Sequence, residues 1–276
     1  FPLSNDDLVE CAALIDSVGI VASVSPFGPT RVDFLPVPTG HAILPTGRFG
    51  AELGGFLLYS GGIFGPSRSY SDGAGQGGDL GDVEVLQFGG ASWIYGTVPG
   101  GGGVLSWQVA AGTSTPVQMP TLADSAALLL GGADRLVSAS VGNETWLFVV
   151  SAVEDGITSL RVNPNGSLTV MGQIGAVNGL GIADPVAVEV VTISGSTYVI
   201  VASTQSSSLS VLRADHSGLV PVDHVTDSLL TRFAAPVAVE TITIGDRVFV
   251  LSGGTDDGLS VFQLLPDGRM ILIETL

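Results

Sequence analysis

From Val83 onward the chain is written in short apolar runs, separated by polar stretches rich in Gly, Asp and Ser. Runs of about five to seven residues bounded by turn formers predict β-strands. The runs also recur. Residues 185–218 and 236–268 both open with Pro-Val-Ala-Val-Glu, carry an apolar strand ending in Ser, and reach Leu-Ser-Val ahead of a turn glycine. Trp93, Trp146 and Tyr198 stand in successive copies of one strand (SWIYG, TWLFVV, TYVIVA), and residues 247–252 supply a fourth copy. The next strand opens at Val104, Ile157, Leu209 and Leu259. It ends at Asn165-Gly166, Ser217-Gly218 and Asp267-Gly268, with Gly112 a looser counterpart. Such pairs supply the positive φ that tight hairpins need. A fourth strand follows at 116–119, 167–171, 219–222 and 269–273.

Four strands in about fifty residues, repeated, is the pattern of propeller blades. The expected fold is therefore all-β, a β-propeller of four-stranded blades, about six in number with a range of five to seven. Residues 146–150 and 199–202 are apolar throughout, as strands covered on both faces must be. Residues 83–276 hold four clear blades. Residues 1–82 are divergent and are expected to add one or two irregular blades to one closed domain. Within them, Ser4-Asn5-Asp6-Asp7 and the run up to Gly19 read as a short capped helix, or as a buried strand. Segments 19–24, 31–37 and 56–59 read as strands, and residues 67–82 as a long loop.

Charge narrows the partners. The 276 residues carry a formal net charge of −17, and all nine basic residues are Arg. Such a balance opposes binding to phosphate backbones, so nucleic acid is excluded as a partner. No apolar run approaches the roughly 20 residues of a membrane-spanning helix. Cys11 is the single cysteine and reads as a small buried hydrophobe; no internal disulfide can form. An acidic, lysine-free, Gly- and Ser-rich chain suits an extracellular or cell-surface, secreted protein.

The phrases YVIVASTQSSSLSVLRADHSGLVPV and VFVLSGGTDDGLSVFQLLPDGRMILIE resemble the blades of lactonase-type propellers. They also resemble the propeller region of secreted bacterial haemolysin-type calcium-binding proteins. The resemblance covers residues 83–276 and lies in structural blade motifs. It implies a propeller and, through the second group, export; it carries no activity across. The calcium nonapeptide of that second group is missing, since Gly77-Gly78-Asp79-Leu80-Gly81-Asp82 sets its glycine one place late and does not recur.

Candidate chemistry is sparse. Glu84, Glu189 and Glu240 share a place in the first strand of three copies, the strand that lines a propeller's channel. Carboxylates there could hold a hard cation such as Ca2+ through oxygen ligands. The remaining copy has Leu136-Val137-Ser138 and no acid. Asp124-Ser125, Asp184-Pro185 and Asp227-Ser228 fall at blade joins and read as turn formers. Glu154-Asp155 and Asp256-Asp257 are replaced by Ser206-Ser207 in the copy between, which reads as a solvated loop. His41, His216 and His224 are scattered, with His216 in an exposed turn. No nucleophile elbow, phosphate loop or Cys-x-x-Cys is present, so no catalytic or cofactor-binding residues are assigned. The expected function is a non-catalytic extracellular or surface-assembled module, with a binding or structural role. Its partner would be a protein or glycan at the surface, with self-assembly as a further expectation. Two alternatives are a lactonase-like metal-dependent hydrolase and a structural subunit of a filament, virion or surface layer.

Overall fold

A computed structural model of the protein describes residues 31–38, 40–46, 54–59, 63–69 and 80–276. The helix-or-strand reading of residues 1–19, Cys11 and most of the 67–82 loop lie outside the described residues.

Among the described residues five antiparallel sheets follow one another along the chain, four of four strands and one of four with a short fifth. The first is β1 (Arg31–Val37), β2 (Gly40–Thr46), β3 (Gly54–Tyr59) and β4 (Ile63–Ser69). The second is β5 (Val83–Phe88), β6 (Ala91–Thr97), β7 (Gly103–Ala110) and β8 (Val117–Gln118), with the short β9 (Leu122–Ala123) also pairing with β7. The third comprises β10 (Ala133–Val141), β11 (Glu144–Ser151), β12 (Gly156–Val162) and β13 (Leu168–Gly175). The fourth comprises β14 (Pro185–Ile193), β15 (Ser196–Ser203), β16 (Ser208–Asp215) and β17 (Gly218–Thr226). The fifth comprises β18 (Ala238–Ile244), β19 (Arg247–Gly253), β20 (Leu259–Leu264) and β21 (Met270–Thr275). In every sheet the strands pair in chain order, so each is a meander. The first strands of successive sheets pack on one another, β1 on β5, β5 on β10, β10 on β14 and β14 on β18. The sheets are blades stacked around a line through their first strands.

Alternation explains why the second strands of the third and fourth blades are apolar throughout 146–150 and 199–202. Side chains of a strand point to opposite faces with period two. Trp93 and Tyr95 enter the core shared with Leu136, Leu147 and Val149 of the third blade. Ile94, between them, enters the core shared with Leu35, Ala42 and Leu44 of the first. Trp146 and Phe148 likewise face Val199 and Val201. Tyr198 and Ile200 face Val248 and Val250.

Aromatics of the second strands also latch onto the next blade. The Tyr95 hydroxyl donates to the Gly166 carbonyl at 2.9 Å, and the Trp93 ring lies against Gly166, whose φ is +79°. Burial pushes the Tyr95 phenol well above its ordinary pKa. Two blades on, the Tyr198 hydroxyl donates to the Pro266 carbonyl at 2.8 Å, beside Gly268 with φ +88°.

The loops between second and third strands are clips rather than solvated segments. The Glu154 carboxylate accepts the Gly131 N–H at 2.6 Å, and the Asp155 carboxylate accepts the Asp184 N–H at 2.8 Å. In the next blade Ser206 Oγ accepts from Ala183 at 3.1 Å and Ser207 Oγ from Ala235 at 3.0 Å. The first residue of each pair binds its own blade's lead-in, and the second binds that of the following blade. Asp155, Ser207 and Asp257 all hold φ near +50° (51°, 44° and 53°). An oxygen acceptor on a backbone with positive φ is what the position needs, and Asp and Ser both supply the acceptor. Asp155→Ala is therefore expected to lower stability by about 1–2 kcal/mol. Asp155→Ser should lose clearly less, as read from urea unfolding midpoints.

Candidate functional site

Every described blade begins with a two-residue hairpin, closed by Val37–Gly40, Phe88–Ala91, Val141–Glu144, Ile193–Ser196 and Ile244–Arg247. Four residues before each closing pair stand Asp33, Glu84, Val137, Glu189 and Glu240. The three glutamates singled out from sequence thus share one register position on the inner strands. Asp33 joins them and was missed; the signal for it was its distance of 51 residues from Glu84, hidden by a first blade whose turns carry Pro instead of the later Gly motifs.

These acids reach across blades. Asp33 Oδ2 accepts the Val85 N–H at 2.7 Å, and Glu84 Oε1 accepts the Ser138 hydroxyl at 2.5 Å. Glu189 is half-buried and Glu240 exposed. Both line a cavity of about 280 Å³ with Arg135 and the valines around them. Arg135 is held against Asp134, 3.3 Å from Oδ1. Among the described residues no group of three His, Cys, Asp or Glu comes together as a metal-holding set. The structure brings Glu189 and Glu240 together and engages Glu84 with Ser138.

Two larger clefts lie between the hairpins of adjacent blades, at equivalent register. One, about 500 Å³, runs between Pro36–Val37–Pro38 of the first blade and Phe88–Ser92 with Val109–Thr113 of the second. The other, about 460 Å³, runs between Phe88 and Gly89 of the second blade and Asn143, Glu144, Arg161 and Asn163 of the third. The first is mainly apolar. The second is mainly apolar too, and carries a polar cluster around Glu144. Arg161 Nη1 lies 3.2 Å from Glu144 Oε1, Trp146 Nε1 donates to Oε2 at 3.3 Å, and His216 Nδ1 of the fourth blade lies 3.5 Å from Oε2. His216 is 73% exposed, as its turn position predicted. Partial burial raises the Glu144 pKa, but the Trp146 hydrogen bond and the Arg161 and His216 charges outweigh it, leaving the carboxyl below the usual range. The opposite wall is Phe88, stacked on Trp93 at 5.3 Å between ring centres.

One pair mimics a nucleophile and its base. Ser210 Oγ lies 2.9 Å from His224 Nδ1. Ser210, however, shares its register position with Thr158 and Ser260, whose hydroxyls bond backbone groups of the lead-in segments at Leu129 and Arg232. Asp223 binds the backbone N–H groups of His224 and Met270 and leaves the imidazole alone. Among the described residues no acid orients the pair, as triad chemistry requires.

No family model and none of the curated proteins matches the chain. Solved structures do. A protein from Lactobacillus plantarum superimposes with a TM-score of 0.63 at 17% identity, covering 90% of this chain and 70% of that one. A candidate 6-phosphogluconolactonase from Bacteroides fragilis gives 0.59 at 11% identity, covering 88% and 70%. The Aleuria aurantia lectin, in complex with α-methyl-L-fucoside, gives 0.54 at 13% identity, covering 91% and 78%. The fold is a β-propeller. Lectin and lactonase-like chains share this propeller at such low identities that the likeness establishes architecture and leaves activity to the site.

Proposed function

We propose that this propeller is a non-catalytic carbohydrate-binding module of an exported or surface-exposed protein, and that the cleft between its second and third blades holds the sugar. The observation that carries the reading is the fixed Glu144–Arg161 pair facing Phe88. A carboxylate and a guanidinium held side by side offer acceptors and donors that match vicinal hydroxyls, while an aromatic wall covers the apolar face of a sugar ring. The neighbouring Aleuria lectin, crystallised with α-methyl-L-fucoside, supports a sugar on this architecture. A lactonase-like reading is not better supported: it needs converging acids, and among the described residues no three acids come together, Glu189 and Glu240 sharing a cavity with Arg135.

The test is calorimetric titration with methyl α-L-fucoside and a panel of neutral mono- and oligosaccharides. Glu144→Gln and Arg161→Ala should each weaken binding of whichever sugar is bound by about tenfold or more. A wild-type protein that binds none of the panel, or variants that bind as well as wild type, would sink the proposal. Acid dependence gives a second check. Because the folded-state pKa of Glu144 is lowered, its charge persists as pH falls through the ordinary carboxylate range near 4.3, and is lost only below it. Binding should therefore survive at pH 4.5 and decline at lower pH, as titrations across that range would show.

A further inference from the structure

An antiparallel meander puts its first-to-second and third-to-fourth turns at one end, and its second-to-third loop and the join to the next blade at the other. In the third to fifth blades the two ends differ in charge. At the turn end Arg161, Arg213 and Arg269 pair with Glu144, Asp215 and Asp267. The join end carries Glu154, Asp155, Asp184, Asp227, Asp256 and Asp257. Its arginines are Arg135, held by Asp134, and the exposed Arg232.

Two leucines project from this acidic end, in the join between the fourth and fifth blades. Leu229 is 102% exposed and Leu230 75%. Their turn is fixed by side chains. Asp227 Oδ1 accepts the Thr231 hydroxyl at 2.7 Å and the Phe233 N–H at 3.3 Å. The Ser228 N–H donates to Thr231 Oγ1 at 2.7 Å, and the Leu230 N–H to Ser228 Oγ at 3.2 Å. The buried Phe233 ring anchors the segment below. The join between the second and third blades is a built-in control. It opens with Asp124-Ser125, and its Leu128 N–H bonds the Ser125 carbonyl as the Thr231 N–H bonds that of Ser228. Its tip is Ala126-Ala127. The turn therefore forms without leucine. Elsewhere in the joins Leu129, Leu130, Leu180 and Ile182 are at most 9% exposed. Adjacent leucines that the fold leaves in water mark a contact surface. Arg232 and the Leu276 carbonyl both lie against Gly258, which brings Leu276, 67% exposed, and the Asp256-Asp257 pair to the same side.

We propose that Leu229 and Leu230, with Leu276 and the acids around them, form a docking surface for a basic, apolar segment of a partner protein. Charge selects this occupant. A second copy would bring the same acids and a net charge of −17 against them. Residues 1–30 of the chain hold Asp6, Asp7, Glu10 and Asp16 and no basic residue. A partner with Lys or Arg beside its apolar side chains meets complementary groups, which speed association and fix its orientation. The cleft between Phe88 and Glu144 opens at the turn end, so this surface stands independently of the sugar reading and stays free when the cleft is filled.

The test titrates the full chain with a fluorescent peptide of Leu pairs separated by Lys, and with the same peptide carrying Glu for Lys. The Lys peptide should bind. Leu229→Ser combined with Leu230→Ser should weaken it by about tenfold or more, with a melting temperature within about 2 °C of wild type. Asp256→Asn combined with Asp257→Asn should weaken it as well. No binding of the Lys peptide overturns the proposal, as does equal binding of the two peptides. Equal binding by the leucine variant shows only diffuse attraction to an acidic protein and also overturns it. Three further outcomes overturn it by naming another occupant. A wild-type dimer that the leucine variant loses assigns the turn to a second copy. A melting temperature lowered by about 4 °C or more in that variant assigns it to cover by the chain itself. Co-sedimentation of wild type, but not the variant, with zwitterionic lipid vesicles assigns it to a membrane surface.

Discussion

Gly166→Ala is expected to destabilise the protein by on the order of 3 kcal/mol, a fall of about 6–12 °C in melting temperature for a domain of this size. Two costs combine. The turn holds Gly166 at φ +79°, where an L side chain is strained. A Cβ there would also overlap the Trp93 ring of the preceding blade, which is 4% exposed and stacked on Phe88. The turn cannot withdraw without breaking the Tyr95 bond to the Gly166 carbonyl. A double-mutant cycle with Trp93→Leu separates the two costs. The overlap part should vanish when the ring is absent, leaving about 1 kcal/mol for backbone strain. Gly179→Ala, where φ is +82° and nothing stands within 4 Å of the added carbon, is the control for that strain alone.

Asp82→Ala should cost about 2–3 kcal/mol, measured by urea unfolding, because it leaves buried N–H groups without an acceptor. Asp82 is fully buried at the join of the second and third blades. Its carboxylate accepts the Val83 N–H at 3.0 Å and, from the next inner strand, the Leu136 N–H at 3.2 Å. Its own N–H donates to Thr97 Oγ1, which in turn donates to the Asp134 carbonyl. Asp82→Asn retains the shape and one acceptor oxygen and should lose less. An Asp82→Ala protein with wild-type unfolding would show that the third blade is held by apolar packing alone.

The repeat made four blades legible because it rests on local chemistry. Asn165-Gly166 and Asp267-Gly268 mark their turns, and 146–150 and 199–202 declare strands buried on both faces. The first described blade was legible only in outline, as an irregular blade expected within residues 1–82 with strands at 31–37 and 56–59; its match to the later hairpin register was hidden because Pro36 and Pro38 replace the glycine signals of the other blades. Loop chemistry was the larger difficulty. Glu154-Asp155 exchanging with Ser206-Ser207 reads as indifference to residue type, yet both pairs perform the same bonding through side-chain oxygen. That equivalence appears only when φ and the N–H donors of the lead-ins are known. The cleft around Glu144 was hidden for a related reason. Phe88, Glu144 and His216 come from three blades, and no stretch of sequence holds more than one wall.

A ligand seated between Phe88 and Glu144 touches two blades at once, so its binding energy depends on their separation as well as on the groups it meets. Occupancy should then act as a strut, raising the unfolding temperature with ligand concentration. By reciprocity, substitutions that splay these two blades should weaken binding although they never reach the cleft. Gly166→Ala is such a substitution, and its affinity deficit measured against its loss of stability would gauge how stiffly one blade holds the next.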